Sequence, residues 1–294
     1  MKADVFSLEG VKAKSMDLPE QFTEEIRPDL IRRAFLAFMS HSRQPYGAFP
    51  EAGKRQVVNI PKRRRALKTS YGHGIARTPR KIVWHRGRQF GWVGAFSPNT
   101  PGGRRAHPPK PWEIYDLKIN IKERRKAIRS ALAATLDQEV VKERGHNFKH
   151  LVSIIDNKIE TLQKTKDVIK ALHALKLEEE LIRVAERKVR AGRGKARGRK
   201  YKTKKGPLIV VSGSCSLQKA AASIPGIDIC EVAKLNINLL APGGDAGRFA
   251  IFSEKAMEKI KQEQLFMNDR TITQKETVKK EASKEKKVEK KAKQ

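Results

Sequence analysis

Three stretches of the chain bring guanidinium groups, aromatic rings and glycines together: Lys62-Arg63-Arg64-Arg65, Tyr71-Gly72-His73-Gly74-Ile75-Ala76-Arg77 and Trp84-His85-Arg86-Gly87-Arg88-Gln89-Phe90-Gly91-Trp92. Each residue type has its own task in gripping a polyanion. Arginine forks pair with phosphate oxygens, flat rings stack on splayed bases, and glycine lets backbone N–H groups approach a sugar-phosphate chain closely. The chemistry is non-covalent recognition of RNA. Candidate phosphate or base-edge contacts are Arg63, Arg64, Arg65, Lys68, Arg77, Arg80, Lys81, Arg86, Arg88, Arg104 and Arg105, while Tyr71, Trp84, Phe90 and Trp92 would stack on bases or fill RNA grooves. The bland alternatives are diffuse electrostatic contact for each cation and a small local cluster for each ring.

The distribution of charge supports the recognition reading. The 294 residues carry 64 Lys and Arg against 32 Asp and Glu, a net charge of +32. Residues 43–112 hold +15 of it and residues 187–206 a further +11, whereas the folded remainder is nearly neutral. Solvating lysines and arginines are normally interspersed with carboxylates. Here that balance fails locally, so an ordered state calls for a dense polyanion. The second run, Arg187 to Lys205, has eleven cations and no acid, and it nominates Arg190, Arg193, Lys195, Arg197, Arg199 and Lys200 as a second RNA surface. Glycines at 192, 194 and 198 each cost about 1 kcal/mol in a helix, so a loop along a phosphate backbone is expected.

Covalent chemistry finds little support. Ser212-Gly213-Ser214-Cys215 follows a strand-like run but lacks the spacing of a phosphate-binding loop. Pro242-Gly243-Gly244-Asp245-Ala246-Gly247-Arg248 precedes a strand and reads as a turn with left-handed backbone positions. His146 and His150 stand four apart without the intervening glutamate of a zinc-protease helix. Cys215 and Cys230 lack ligand or disulfide spacing and are expected as buried, reduced thiols. No catalytic residue, metal or cofactor is expected. The absence of a long uncharged apolar stretch, and of an apolar run at Met1 to Phe6, predicts a cytoplasmic protein with no membrane partner.

Positioning these groups requires a scaffold. Alternation from Ala3 to Leu8 predicts a strand, and Pro28 opens a helix with Leu30, Ile31, Ala34, Phe35, Phe38 and Met39 facing a core. Residues 43–112 break that pattern, with nine Gly, nine Pro, a single carboxylate at Glu51, and all three tryptophans. Disordered tracts are poor in aromatics, so a functional extension fits better. As an out-and-back arm, each half of about 35 residues reaches at most roughly 100 Å at about 3.3 Å per residue, enough to penetrate an RNA mass. Asn120 and Glu123 resemble a capping box for a helix carrying Ile121, Ile128, Leu132, Thr135 and Leu136. Further helices are expected through Ile159 to Leu175, over Glu178 to Val189 and near Leu217 to Ala222, with strands at 207–211, around 227–232 and at 249–252, and a closing helix from Ser253.

The expected fold class is α/β: a single globular body, 1–42 and 113–268, with a largely parallel sheet and flanking helices. It bears the extended arm 43–112, the basic loop 187–206 and a mobile, Lys/Glu-rich tail, 269–294.

Several motifs then coincide. Arg43-Gln44-Pro45-Tyr46, Gly103-Arg104-Arg105-Ala106-His107-Pro108-Pro109, Arg129-Ser130-Ala131-Leu132-Ala133-Ala134-Thr135, Arg190 to Arg199, and Leu240-Ala241-Pro242-Gly243-Gly244-Asp245-Ala246-Gly247-Arg248 occur in order over about residues 1 to 265. Together they resemble the large-subunit ribosomal protein four family in its archaeal and eukaryotic form. The resemblance implies a non-catalytic structural protein whose body sits on the outer face of the large subunit while its arm threads large-subunit rRNA. It also implies neighbouring ribosomal proteins as partners, and an arm tip, between Arg63 and Trp92, that helps line the nascent-peptide exit tunnel. Two rival readings are a free-standing RNA-binding or RNA-processing protein, tested by turnover on RNA, and a DNA-packing protein, tested by competition between duplex DNA and structured RNA.

Overall fold

Apolar residues in unbroken runs demand burial on both sides, and the computed structural model, which describes residues 2–268, meets that demand with one six-stranded sheet. In chain order the elements are β1 Lys2–Phe6, β2 Lys12–Asp17, α1 Pro28–His41, β3 Arg80–Arg86, β4 Gln89–Gly94, α2 Ile121–Ala134, α3 Gln138–Glu143, β5 Ile154–Ile155 and α4 Thr165–Ala174. There follow α5 Glu178–Ala185, β6 Lys188–Val189, β7 Tyr201–Lys202, β8 Leu208–Val211, α6 Leu217–Ala221, β9 Asp228–Glu231, α7 Ile237–Leu240, β10 Ala250–Ser253 and α8 Glu254–Gln262. The sheet runs β2-β1-β5-β10-β8-β9; only the β1–β2 pair is antiparallel. This is the mixed α/β fold with a largely parallel sheet that the residue pattern leads one to expect.

Alternation along each strand splits the core in two. Leu208, Val210, Ala250 and Phe252 face α1, α2, α7 and α8, where Ile31, Leu132, Leu240 and Met257 are buried. Ile209, Val211 and Ile251 face the other way, against Val168 and Leu172 of α4 and Leu217 of α6.

Several local expectations need correction. Phe38 and Met39 are exposed, because the buried face of α1 runs through Ile31, Ala34, Ala37 and Ser40 instead. Ile121 is likewise exposed, and the capping box does not form: Asn120 makes no side-chain cap on α2, and Glu123 pairs with Arg33 of α1 at 3.3 Å. The helix through Ile159 to Leu175 is split, with a 3-10 turn Asn157–Thr161 preceding α4. The next helix ends at Ala185, short of Val189, which belongs to β6. Cys230 is buried, and its thiol is pushed up to about 11 by burial and the nearby Glu231 carboxylate; Cys215 is only half-buried. The tail 269–294 lies outside the described residues.

The chain separates into two compact units, His41–Asp116 and the flanking chain around it. No helix among the described residues is long and apolar enough to cross a membrane.

Candidate nucleic-acid interface

Within His41–Asp116 the structure contains an element that hydrophobic periodicity does not signal, the β3–β4 hairpin. Arg86 pairs with Gln89, leaving Gly87-Arg88 as a two-residue loop. Gly87 has φ +54 and Arg88 is not in the left-handed region, the pattern of a type II′ turn, whose twist matches that of the strands. The hairpin is rooted by small and polar groups. Asn59 and Arg80 exchange backbone bonds of 2.8 and 3.0 Å, Ala95 N–H donates to the Pro79 carbonyl, and buried Ser70 donates both its N–H and its hydroxyl to the Pro61 carbonyl.

The rings expected to meet bases differ in their surroundings. Tyr71 is approached by two guanidinium groups, Arg77 at 4.7 Å and Arg64 at 5.5 Å. Phe90 and Trp92 share one face of β4 and pack edge-to-face at 5.1 Å, with Lys68 over Phe90 and Arg80 over Trp92. Trp84 has no such partner among the described residues; its indole lies across Gly91 of the facing strand and remains 55% exposed. Arg63, Arg65, Arg86, Arg88 and Arg105 are exposed, while Lys81 and Arg104 are half-buried. Arg104 sits over Phe96.

The same arrangement also involves residues that the sequence reading left out of the interface, with Arg55 over Phe49 at 4.1 Å and Arg43 over Tyr115 at 4.0 Å. Their signal in the sequence was faint, an arginine near a ring in a stretch without periodicity.

Among the described residues, none of the sixteen Lys and Arg between 43 and 112 forms an ion pair. A ring under the flat face of a guanidinium leaves its in-plane N–H donors free for phosphate oxygens. The segment therefore holds seven of the sixteen, Arg43, Arg55, Arg64, Lys68, Arg77, Arg80 and Arg104, in place without neutralising them.

The second basic run is a small hairpin, β6 with β7, enclosing a 3-10 turn Arg193–Arg197 between Gly192 and Gly198. Arg193, Lys195, Arg197, Arg199 and Lys200 are exposed and have no carboxylate partner among the described residues. Arg190 is half-buried and braces the hairpin through its Nε, which donates to the Arg199 carbonyl at 3.2 Å.

The roots of that hairpin are bolted to the sheet. Lys204 pairs with Glu186 at 2.6 Å and Lys205 with Asp228 at 2.9 Å. Buried Arg248 donates to the Gly206 and Leu239 carbonyls, both at 2.9 Å, and to Asp228 at 2.6 Å. Burial lowers the Arg248 value and outweighs the opposing effect of Asp228. On the N-terminal side, Arg183 donates to the Lys205 carbonyl and to both oxygens of buried Glu180, which also meets His146 Nδ1 at 2.7 Å and Asn147 N–H at 3.0 Å. Burial alone would raise the Glu180 carboxyl, but the bonds from Arg183, His146 and Asn147 hold it below its ordinary range.

The motifs that invited catalytic readings have other work. The N–H and hydroxyl of Ser212 donate to Glu160 at 2.8 and 2.9 Å, and Ser253 donates to it as well, so a carboxylate occupies the turn that a phosphate would need. His146 belongs to the Glu180 network just described. Gly243, Gly244 and Gly247 adopt the left-handed backbone expected of that turn. No group of three or more His, Cys, Asp or Glu among the described residues could hold a metal ion.

An α/β fold with ion-paired cations, together with two segments of uncompensated cations at 43–112 and 187–206, defines the class, a protein built to be held by nucleic acid. Comparison with known proteins supplies the particular family. Residues 16–263 match the Ribosomal protein L4/L1 family, and the chain belongs to it. It is 49% identical over 267 residues to the large ribosomal subunit protein uL4 of Nanoarchaeum equitans, covering 90% of this chain and 100% of that one. The uL4 proteins of Archaeoglobus fulgidus and Methanocaldococcus jannaschii are 44% and 45% identical, over 88% and 89% of this chain and 98% and 99% of theirs.

Proposed function

We infer that the chain is a structural, rRNA-binding constituent of the large ribosomal subunit and performs no covalent chemistry. The observation that carries this reading is the contrast between ion-paired cations in the body and ring-braced, unpaired cations at 43–112. A surface of that kind is completed by phosphates. The cations named from the sequence at 63–105 contact phosphates and base edges, and Arg193, Lys195, Arg197, Arg199 and Lys200 hold a second RNA surface. Trp84 is the ring best placed to stack on a base.

Within this reading the segment between Arg63 and Trp92 reaches the nascent-peptide exit tunnel, and other large-subunit proteins flank the body in the cytoplasm. The β3–β4 hairpin supports the tunnel placement: its exposed Val83, Trp84 and Arg88 combine an apolar and a cationic surface.

Sedimentation of cell extract through a sucrose gradient tests the assignment. One copy per large subunit after a moderate-salt wash is expected, and a chain that runs free of subunits overturns it. A photo-cross-linker at Arg88 should capture stalled nascent chains; capture only of RNA would remove the tunnel from the account.

A further inference from the structure

Within the His41–Asp116 unit two legs of the chain, residues 46–54 and 103–115, enclose a groove of about 1200 Å³. Glycine builds it. A side chain at Gly47 would meet Pro111 Cδ at 2.5 Å, and one at Gly53, which has φ +73, would meet Arg104 Cα at 2.8 Å. The two legs therefore touch at these points and leave space beside them.

Two features of the groove call for a ligand. Arg104 Nε is buried and has no hydrogen-bond partner, and the best contacts of the neighbouring NH1 are long, 3.4 Å to the carbonyls of Arg105 and Ala106. A guanidinium whose donors are so poorly satisfied gains from an anion that reaches its remaining N–H groups. Second, two rings in the groove have no ring or cation partner among the described residues: Tyr46, 66% exposed, and Trp112, 61% exposed. The cations Lys54, Arg105 and Lys110 also line it, and Glu113 is its single carboxylate.

We propose that this groove receives one unstacked nucleotide of the bound RNA, with its base against Trp112 and its phosphate on Arg104. A flat ring and an under-satisfied guanidinium lining one groove match the two halves of a nucleotide, and the volume, somewhat above the range of about 300 to 1,000 Å³ for small-ligand sites, leaves room for one. Charge decides against the other ligand that aromatic grooves take, a proline-rich peptide: four cations facing one carboxylate favour an anion. The proposal rests on the rRNA-binding reading and adds a specific pocket to it.

The experiment uses the full chain and protein-free large-subunit rRNA, measuring affinity across a salt series and single-nucleotide chemical reactivity of the RNA. Trp112→Ala should weaken binding about 5- to 100-fold with an unchanged salt slope, because stacking releases no counterions. The same variant should expose one nucleotide that the wild-type chain protects, and Trp112→Phe should restore that protection. Arg104→Ala should reduce the salt slope by about one. Ile182→Ala, on the exposed face of α5, should leave the protected nucleotide unchanged. If Trp112→Ala binds with wild-type affinity and an identical footprint, the pocket is overturned while rRNA binding stands. A wild-type chain that does not bind the RNA overturns both. Cross-links from Trp112 to polypeptide alone in assembled subunits would assign the groove to a peptide and overturn the nucleotide.

Discussion

The body and the arm solve the problem of basic residues in opposite ways. In the body, cations are answered by carboxylates of the same chain: Arg129 by Glu24 at 2.7 Å, Arg248 by Asp228 at 2.6 Å, and Arg183 by Glu180 at 2.7 Å. In the arm they are answered by rings and carbonyls, as where Arg80 lies over Trp92 and donates to the Ala76 carbonyl at 2.6 Å. The first arrangement is complete in itself. The second fixes position and leaves charge unspent, which is what a surface awaiting a polyanion requires. The β6–β7 hairpin lies between the two, with ion-paired roots and an unpaired turn.

Deleting residues 55–100 is the most forceful way to break that contrast. It removes eleven Lys and Arg and no carboxylate. Affinity for large-subunit rRNA should fall by about a thousandfold or more at physiological salt, and the slope of log affinity against log salt should drop by several units, since each phosphate contact contributes about 0.9. Circular dichroism of the body should keep its helix and sheet signal. Loss of that signal would show that the arm is part of the body's core.

Glu180→Ala probes the other side. It leaves Arg183 and His146 facing a gap in the interior, a change that costs about 3 to 5 kcal/mol for a broken buried pair. Thermal melting at neutral pH should shift down by about 10 °C, while RNA affinity measured well below the melting range changes little. The pH dependence has a fixed sign. Burial opposes ionisation of Glu180 but is outweighed by its hydrogen bonds, so its folded-state value lies below the ordinary 4.5. Its stabilisation is present above 4.5 and is lost as pH falls through the lowered value, so the variant should show a flatter acid limb than wild type.

What the sequence reveals follows the same division. Leu208–Val211 and the run from Phe249 to Phe252 that leads into and fills most of β10 are legible because strands buried on both faces are apolar along their length. Ile154–Ile155 is not, although it lies in the middle of the sheet: two residues carry no period, and β1 and β10 on either side define it. The β3–β4 hairpin escapes notice for a different reason. Its strands bury almost nothing, and its order rests on the Gly87 turn and on rings that double as cation platforms. In the arm, composition announces the chemistry but not the contacts. Nothing in the letters distinguishes Trp84, left open, from Trp92, engaged by Phe90 and Arg80. The groove within His41–Asp116 is likewise invisible, because it depends on Gly47 meeting Pro111 across an excursion of the chain.

A smaller effect sharpens the position of the β6–β7 hairpin. Replacing Arg193, Arg197 and Arg199 together by alanine should lower rRNA affinity about tenfold to a hundredfold and reduce the salt slope by about three. Because none of the three has a carboxylate partner among the described residues, the melting temperature should stay within the scatter of surface substitutions. A fall in stability comparable to that of Glu180→Ala would place these arginines with the body's cations.

The finest test concerns a single turn. At Gly87 an added methyl group meets open space, so the penalty for Gly87→Ala comes only from φ +54, about 1 to 2 kcal/mol for a left-handed residue bearing a Cβ. That cost should appear locally. Amide exchange over 80–94 should accelerate several-fold, while protection in β8 and β10 remains at the wild-type level, because the hairpin shares no strand pairing with the six-stranded sheet. The effect should shrink when RNA is bound, since a ligand that holds only the closed hairpin adds its binding energy to closure. If instead exchange in β8 and β10 rises in step with the hairpin, the two units open as one. The contrast between a self-sufficient body and an arm completed by its partner would then describe charge alone and not folding.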